Sequence, residues 1–247
     1  MDHKLRTISS TVNSPKEAPR EALHKLANPR RGAGKALQMM DGTLFSSGLY
    51  SDLTVICGDD KYLVHRAVIC PRSTFFEAAC RHNFKEAITA EINLRDDDPT
   101  AVKIMMNHFY NLNYSDGSAT TAETDTALPE DENSGFSLLV HAKVYSLAEK
   151  YGILSLKKLA VDKFERQVRG DCDTEDFLEA AVEAYTGTVK GDRELRDEVV
   201  RAITLRMDVL KQESFREAIN GLDIGVDVLV YLAEQGRIRP SDWASRW

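Results

Sequence analysis

The chain has 247 residues, enough for one large domain or two small ones, and a hydrophobic content of 43% allows a real core. A formal charge of −7 argues against general nucleic-acid binding, which needs a basic face. The cysteines Cys57, Cys70, Cys80 and Cys172 form no C-x-x-C pair, and the segment "MDHKLRTISSTVNSPKEAPR" lacks the apolar centre of a signal peptide. No apolar run approaches the roughly 20 residues of a membrane span. These features predict an intracellular protein, cytoplasmic and/or nuclear, with reduced thiols.

Residues 1–35 read as a disordered, basic N-terminal tail, polar and interrupted by Pro15, Pro19 and Pro29. Its "GAGK" does not fit a phosphate loop: the first glycine is misplaced, and Ala36 stands where Ser or Thr should bind magnesium. "KLANPRR" is either a weak nuclear signal or part of a solvated tail. The apolar stretch "ALQMMDGTLF" predicts a short helix. "SDLTVICGDDKYLVH" predicts a β-hairpin, two β-rich runs about a "GDD" turn. "HRAVICPRS" predicts one or two helical turns stopped by Pro71, and Ser73 is placed to cap the helix "TFFEAACRH". "AEINLRD" predicts a third strand. Asp98 as cap and Pro99 as first helical residue open the next helix, whose apolar stripe is Ile104, Met105, His108 and Phe109.

Few strands among many helices indicate an α+β fold, a small mixed β-sheet flanked by a cluster of helices, rather than a wound parallel sheet. Residues 115–135, rich in acids and without a base, read as a flexible acidic loop inserted between helices. Its threonines Thr120, Thr121, Thr124 and Thr126 are candidate phosphorylation sites in an otherwise plain spacer. Beyond it the pattern is helical to the end. "FSLLVHAKVYSLAEKYG" puts Leu138, Ala142, Tyr145 and Ala148 on one face and stops at Gly152. Ser155 is the expected cap of "SLKKLAVDKFERQVR". The segments "TEDFLEAAVEAYTGT", "DRELRDEVVRAITLRMDVLK", "ESFREAIN" and "VDVLVYLAEQG" form an all-helical C-terminal extension. Trp243 and Trp247 in "PSDWASRW" either dock on those helices or give a short partner-binding motif.

Three ordered segments resemble a BTB (POZ) domain, specifically the fungal BTB-domain-containing proteins. They are "YSDLTVICGDDKYLVHRAVICPRSTFFEAAC", "NFKEAITAEINLRDDDPTAVKIMMNHFYNLNY" and "AKVYSLAEKYGILSLKKLAVDKF". The resemblance covers Leu37 to Arg169 apart from the acidic loop. It implies a BTB/POZ domain at 36–170 and a helical extension at 171–247 packed on the core. It also implies protein–protein contact as the function rather than catalysis. His65 is then a packed histidine bonded to nearby backbone, and Cys70 a small buried hydrophobe. A nucleophilic cysteine needs a base and an orienting acid in reach, and nothing nominates that set. The spacing of His65, Cys70, Cys80 and His82 is unlike common zinc patterns, so neither cofactor nor metal is expected.

The resemblance also nominates residues. Asp52 and Arg66 match an acid and a base that face each other in a charged pocket; the alternative is an ordinary strand-start aspartate and a surface arginine. Removing one partner of a truly buried pair would cost roughly 3–5 kcal/mol. "FKE" lies where BTB adaptors present a hydrophobic-x-Glu motif to a cullin-type ubiquitin ligase, with Phe84 as apolar anchor and Glu86 fixing register. Phe177 and Leu178 sit where adaptors widen that contact; alternatively they bury in a local helical core. No kelch, MATH or zinc-finger pattern is visible, so the helices between Asp192 and Gly236 would have to hold a substrate. The competing expectation is an assembly scaffold without ligase function, a homodimer or a heterodimer with another BTB protein, with a transcription-associated role as a branch in which DNA contact is indirect. Neither expectation involves a membrane or direct nucleic-acid binding.

Overall fold

The computed structural model describes residues 43–81, 84–114, 136–170 and 174–238. The basic tail, most of the "ALQMMDGTLF" segment, His82, the acidic loop, Cys172 and the two tryptophans lie outside these. A helical turn, α1, occupies 43–47. Strand β1 (Leu53–Cys57) follows, and its alternation turns Leu53, Val55 and Cys57 into the core. The two-residue connection Gly58–Asp59 reverses the chain into β2 (Asp60–Val64), with Cys57 opposite Asp60. Gly58 has φ +57°, the left-handed conformation that tight hairpins of this kind give to glycine.

Strand β3 (Glu91–Asn93) pairs parallel to β1, placing Val55 beside Ile92, so the sheet order is β2-β1-β3. A parallel neighbour requires a crossover, and residues 65–90 supply it. They hold α2 (Arg66–Ile69), a 3-10 turn (Cys70–Arg72), α3 (Thr74–Cys80) and α4 (Lys85–Thr89). Pro71 ends the α-helical bonding at Ile69 but is accepted in the first turn of the 3-10 segment. Ser73 caps α3 by accepting the Phe76 N–H at 3.2 Å. Helix α5 (Pro99–Asn111) starts as the sequence predicts, with the Asp98 carboxylate accepting the Ala101 N–H at 2.9 Å.

Helix α6 (Leu138–Lys150) is central and packs on α5, on α7 (Leu154–Arg169) and on α8 (Thr174–Thr186). Its face Leu138, Ala142, Tyr145 and Ala148 is buried. Asp176 of α8 accepts the free N–H groups of Leu138 (2.7 Å) and Leu139 (3.1 Å), so the extension completes the start of a core helix. Helix α9 (Glu194–Leu205) packs on α7 and α8. The predicted long helix breaks at Arg206. Its guanidinium donates to the Val168 and Gly170 carbonyls at the end of α7, and a 3-10 turn (Met207–Lys211) follows. Helices α10 (Glu213–Ala218) and α11 (Ile224–Glu234) close the described chain. Ser155 is a correction: α7 starts from Ile153 without a side-chain cap, and the Ser155 hydroxyl bonds His108 Nε2 at 2.9 Å. Among the described residues no helix is long and apolar enough to cross a membrane.

Candidate functional site

The crossover between β2 and β3 begins with buried polar anchors. His65 is held at both ring nitrogens, Nε2 to the Leu49 carbonyl at 2.7 Å and Nδ1 to the Tyr110 hydroxyl at 2.9 Å. A carbonyl only accepts, so Nε2 carries a proton, and the Tyr110 hydroxyl that bonds Nδ1 also accepts the His65 main-chain N–H at 2.9 Å. The histidine therefore ties the segment before β1 to α5, as packing rather than as a base. Cys70 is half-buried, with its Sγ 3.6 Å from the Phe76 carbonyl. Burial, and then a hydrogen bond with Cys80, push its thiol up to about 12. A reactive cysteine needs the opposite shift.

Asp52 and Arg66 are brought together, but not as two facing charges. The Asp52 carboxylate is exposed and accepts the main-chain N–H of Arg66 at 2.7 Å, satisfying the first free donor of α2. The guanidinium turns instead to α4, where it donates to the Ala87 carbonyl at 3.3 Å. The expected buried pair is thus a helix cap plus a tether. Farther along, the buried Ser73 hydroxyl both caps α3 and donates to the Tyr151 carbonyl at 2.6 Å. This fixes α3 to the α6–α7 turn, and Arg72 donates to the Phe109 carbonyl of α5.

On this frame sits α4, a five-residue helix that sequence periodicity does not reveal. Phe84 precedes it in extended conformation, and Ala90 ends it with φ +55°. The Ala90 carbonyl accepts the Thr54 N–H at 2.9 Å, so α4 runs straight into β3. Phe84 is 56% exposed and Ile88 79% exposed; Glu86 between them is half-buried. Two large apolar side chains thus stand four residues apart, one at the cap and one in the last turn of a short anchored helix. Ile88 was not singled out by the sequence pattern, although its i+4 spacing from Phe84 was there to be read.

The other expected contact residues divide. Phe177 is buried at 1% exposure and stacks on Phe215 of α10, centroids 6.2 Å apart. It holds α8 in place and offers no free surface. Leu178 is half-buried and packs at the margin of the same core. A charged groove of about 470 Å³ opens between α5, α6 and α8, lined by Asp98, Lys143, Lys150 and Glu183 among others. Two ion pairs cross it, Lys143 to Asp98 at 2.8 Å and Lys150 to Asp97 at 2.7 Å. Burial opposes ionisation of Asp98, but the bonds from Lys143 and from backbone N–H groups outweigh it and hold its carboxyl below the ordinary range. The Lys143–Asp98 pair thus links α6 to the start of α5.

A family model described as BTB/POZ domain matches residues 42–127. Mouse TD and POZ domain-containing protein 1-like is 26% identical over 127 residues, 51% of this chain and 30% of that protein. A BTB/POZ domain-containing protein of Arabidopsis thaliana is 26% identical over 144 residues, covering 58% of this chain and 37% of that protein. The BTB/POZ and MATH domain-containing protein 5 of Arabidopsis thaliana is 30% identical over 119 residues, 48% of this chain and 28% of that protein. The chain therefore spans about a third of the length of these curated relatives. Residues 42–127 carry a BTB/POZ domain, which is a protein-interaction domain.

Proposed function

We propose that the protein is a BTB-type adaptor that links partners to a cullin-type ubiquitin ligase, with Phe84, Glu86 and Ile88 as its cullin-facing surface. The observation that carries this reading is the exposure of Phe84 at the cap and of Ile88 within the anchored helix α4. Apolar groups so placed are poor for stability alone and suited to anchoring a partner. Glu86, in the first turn of α4, supplies the charge that fixes register. Leu178 extends the contact from α8, and Phe177 supports it from within. The helices between Asp192 and Gly236 would hold the substrate. The order of the sequence segments favours a place among fungal BTB-domain proteins, in cytoplasm or nucleus.

Calorimetric titration with the N-terminal domain of the host's BTB-binding cullin tests the reading. Wild type should bind, and a folded Phe84→Ala/Glu86→Ala variant should lose about 30-fold or more, the effect of a hot spot of at least ~2 kcal/mol. Absence of wild-type binding, or an unaffected variant, overturns it.

A second reading is a dimerising or transcription-associated scaffold without ligase function, pairing with itself or another BTB protein. It is favoured by Leu49, Tyr50 and Leu63, all exposed beside the edge strand β2. Gly48 approaches Leu63 so closely that an added Cβ would lie 2.9 Å from its Cδ1, so the chain just before Leu49 runs against that strand. Light scattering of wild type and of Tyr50→Asp/Leu63→Asp decides it: a dimer lost in the variant supports the scaffold, and a monomeric wild type removes it.

A further inference from the structure

Helix α11 has two apolar faces. Ile224, Val228 and Leu232 form the inner one and are buried where the helix packs on α9. Val226, Leu229, Val230 and Ala233 form the other, spaced i, i+3, i+4, i+7, and all four are exposed. Isolated exposed apolar residues are ordinary, but a contiguous helical stripe of them marks a contact surface. We propose that the outer stripe of α11 is the docking face for the chain's own segment 239–247, with Trp243 and Trp247 as its anchors. This is independent of the cullin reading.

Three observations select this occupant. The first is geometric. Gly236, with φ +66°, ends α11: its N–H bonds the Ala233 carbonyl at 3.0 Å, and the Arg237 N–H bonds the Leu232 carbonyl at 2.9 Å. This pattern turns the chain off the helix axis. Val226 lies ten residues back along the helix, about 15 Å at 1.5 Å per residue. Extended chain from Gly236 reaches about 23 Å at Trp243 and about 36 Å at Trp247. Both indoles can therefore return to the stripe.

The second is size. An 11-residue helix is about 16 Å long and 10–12 Å wide, so one face offers on the order of 200 Å². A stable dimer buries about 800 Å² per partner, far more than this face supplies, whereas aromatic side chains bury about 150–250 Å² each. One or two indoles match it. The third is charge. With Arg239 and Arg246 against the lone Asp242, the segment's side chains are net positive, which suits the C-terminal end of α11. The helix dipole and the exposed Glu234 make that end negative.

The chain contains two tryptophans, Trp243 and Trp247, so the intrinsic tryptophan fluorescence of the full chain reports on this segment alone. The expected result is blue-shifted emission and slow acrylamide quenching in wild type. Leu229→Asp/Val230→Asp should shift emission to the red and raise quenching several-fold, with far-UV circular dichroism unchanged. Leu205→Asp, an exposed site on α9, should leave emission alone. Deleting 239–247 should raise binding of a hydrophobic dye. Solvent-like emission in wild type, insensitivity to the α11 substitutions, an equal response to Leu205→Asp, or unchanged dye binding on deletion overturns the proposal. So does a blue shift that disappears on dilution, which would assign the stripe to a second copy.

Discussion

Mild acid should destabilise the fold through two histidines outside the interaction surface. His108 on α5 is 2% exposed and His141 on α6 is 6% exposed. Burial, with the Arg72 cation adding to it, lowers the His108 pKa from 6.5 to about 4. Burial also lowers His141 from 6.5 to about 4; the Lys163 and Arg166 cations add to this, while Asp176 and a hydrogen bond with Gln167 oppose it. Both rings are thus kept neutral in the folded state. The unfolded chain takes up protons below its ordinary pKa, and the folded one does so only near the lowered value. Each histidine therefore contributes stability that is full above about pH 6.5 and is lost as pH falls toward about 4. One unit below the unfolded pKa the loss is about 1.4 kcal/mol per histidine, or roughly 3 kcal/mol for both. That is a large share of the ~5–15 kcal/mol of a typical domain. Ordinary carboxylates titrate mostly below about pH 5, so the interval between about pH 6.5 and pH 5 isolates the effect. Urea unfolding across it should show stability falling with pH, and His141→Gln, with a side chain still able to bond the Tyr114 hydroxyl now 2.8 Å from Nδ1, should remove about half the slope. A flat profile in wild type, or an undiminished slope in both His141→Gln and His108→Gln, would refute the reasoning.

Asp52→Ala should cost about 0.5–2 kcal/mol, as for loss of a helix cap, rather than the 3–5 of a broken buried pair; thermal melts separate the two. Gly58→Ala and Gly152→Ala form a matched pair, since both glycines have positive φ. An added Cβ meets nothing within 4 Å at Gly58 but lies 2.0 Å from Thr74 Oγ1 at Gly152. The first should lose about 1–2 kcal/mol from the left-handed backbone alone, and the second a further 1–3 kcal/mol from overpacking. Equal losses in denaturant titrations would show that Thr74 simply rotates away.

Local chemistry made the frame legible. The "GDD" turn, Ser73 and Asp98 as caps, Pro99, and the buried face of α6 are each encoded within a few residues of where they act. The misses are non-local. Ser155 looks like a cap because it follows Gly152, but His108 captures its hydroxyl from α5. Asp176 closes the start of α6 across 38 residues of sequence. Helix α4 is five residues long, too short for a 3.6-residue period to register, and tertiary bonds hold it. The resemblance pairs Asp52 with Arg66 as facing charges, yet the folded chain joins carboxylate to main chain and sends the guanidinium to Ala87. Phe177 shows the limit of pattern. On an amphipathic helix it and Leu178 are equivalent apolar letters, and the position of Phe215 makes Phe177 the buried one.

That redirected guanidinium matters to the interaction surface. Isolated helices this short are not stable in water, so α4 depends on its attachments. Its C-terminal end is tied to the sheet by the Thr54 bond to Ala90 and by continuity with β3. Its middle is tied by Arg66 through the Ala87 carbonyl. A hydrogen bond from a charged donor contributes about 1.5–3 kcal/mol, but the buried Nε of Arg66 has no partner among the described residues, which offsets part of this. Arg66→Leu should therefore loosen α4 more than it destabilises the whole domain. Hydrogen exchange gives the readout. The Ile88 and Ala90 amides, bonded to the Phe84 and Glu86 carbonyls, should exchange faster in the variant, while the paired amides of β1 keep their protection. If α4 and β1 lose protection together, Arg66 holds the domain as a whole, and the exposed Phe84–Ile88 face does not depend on a dedicated tether.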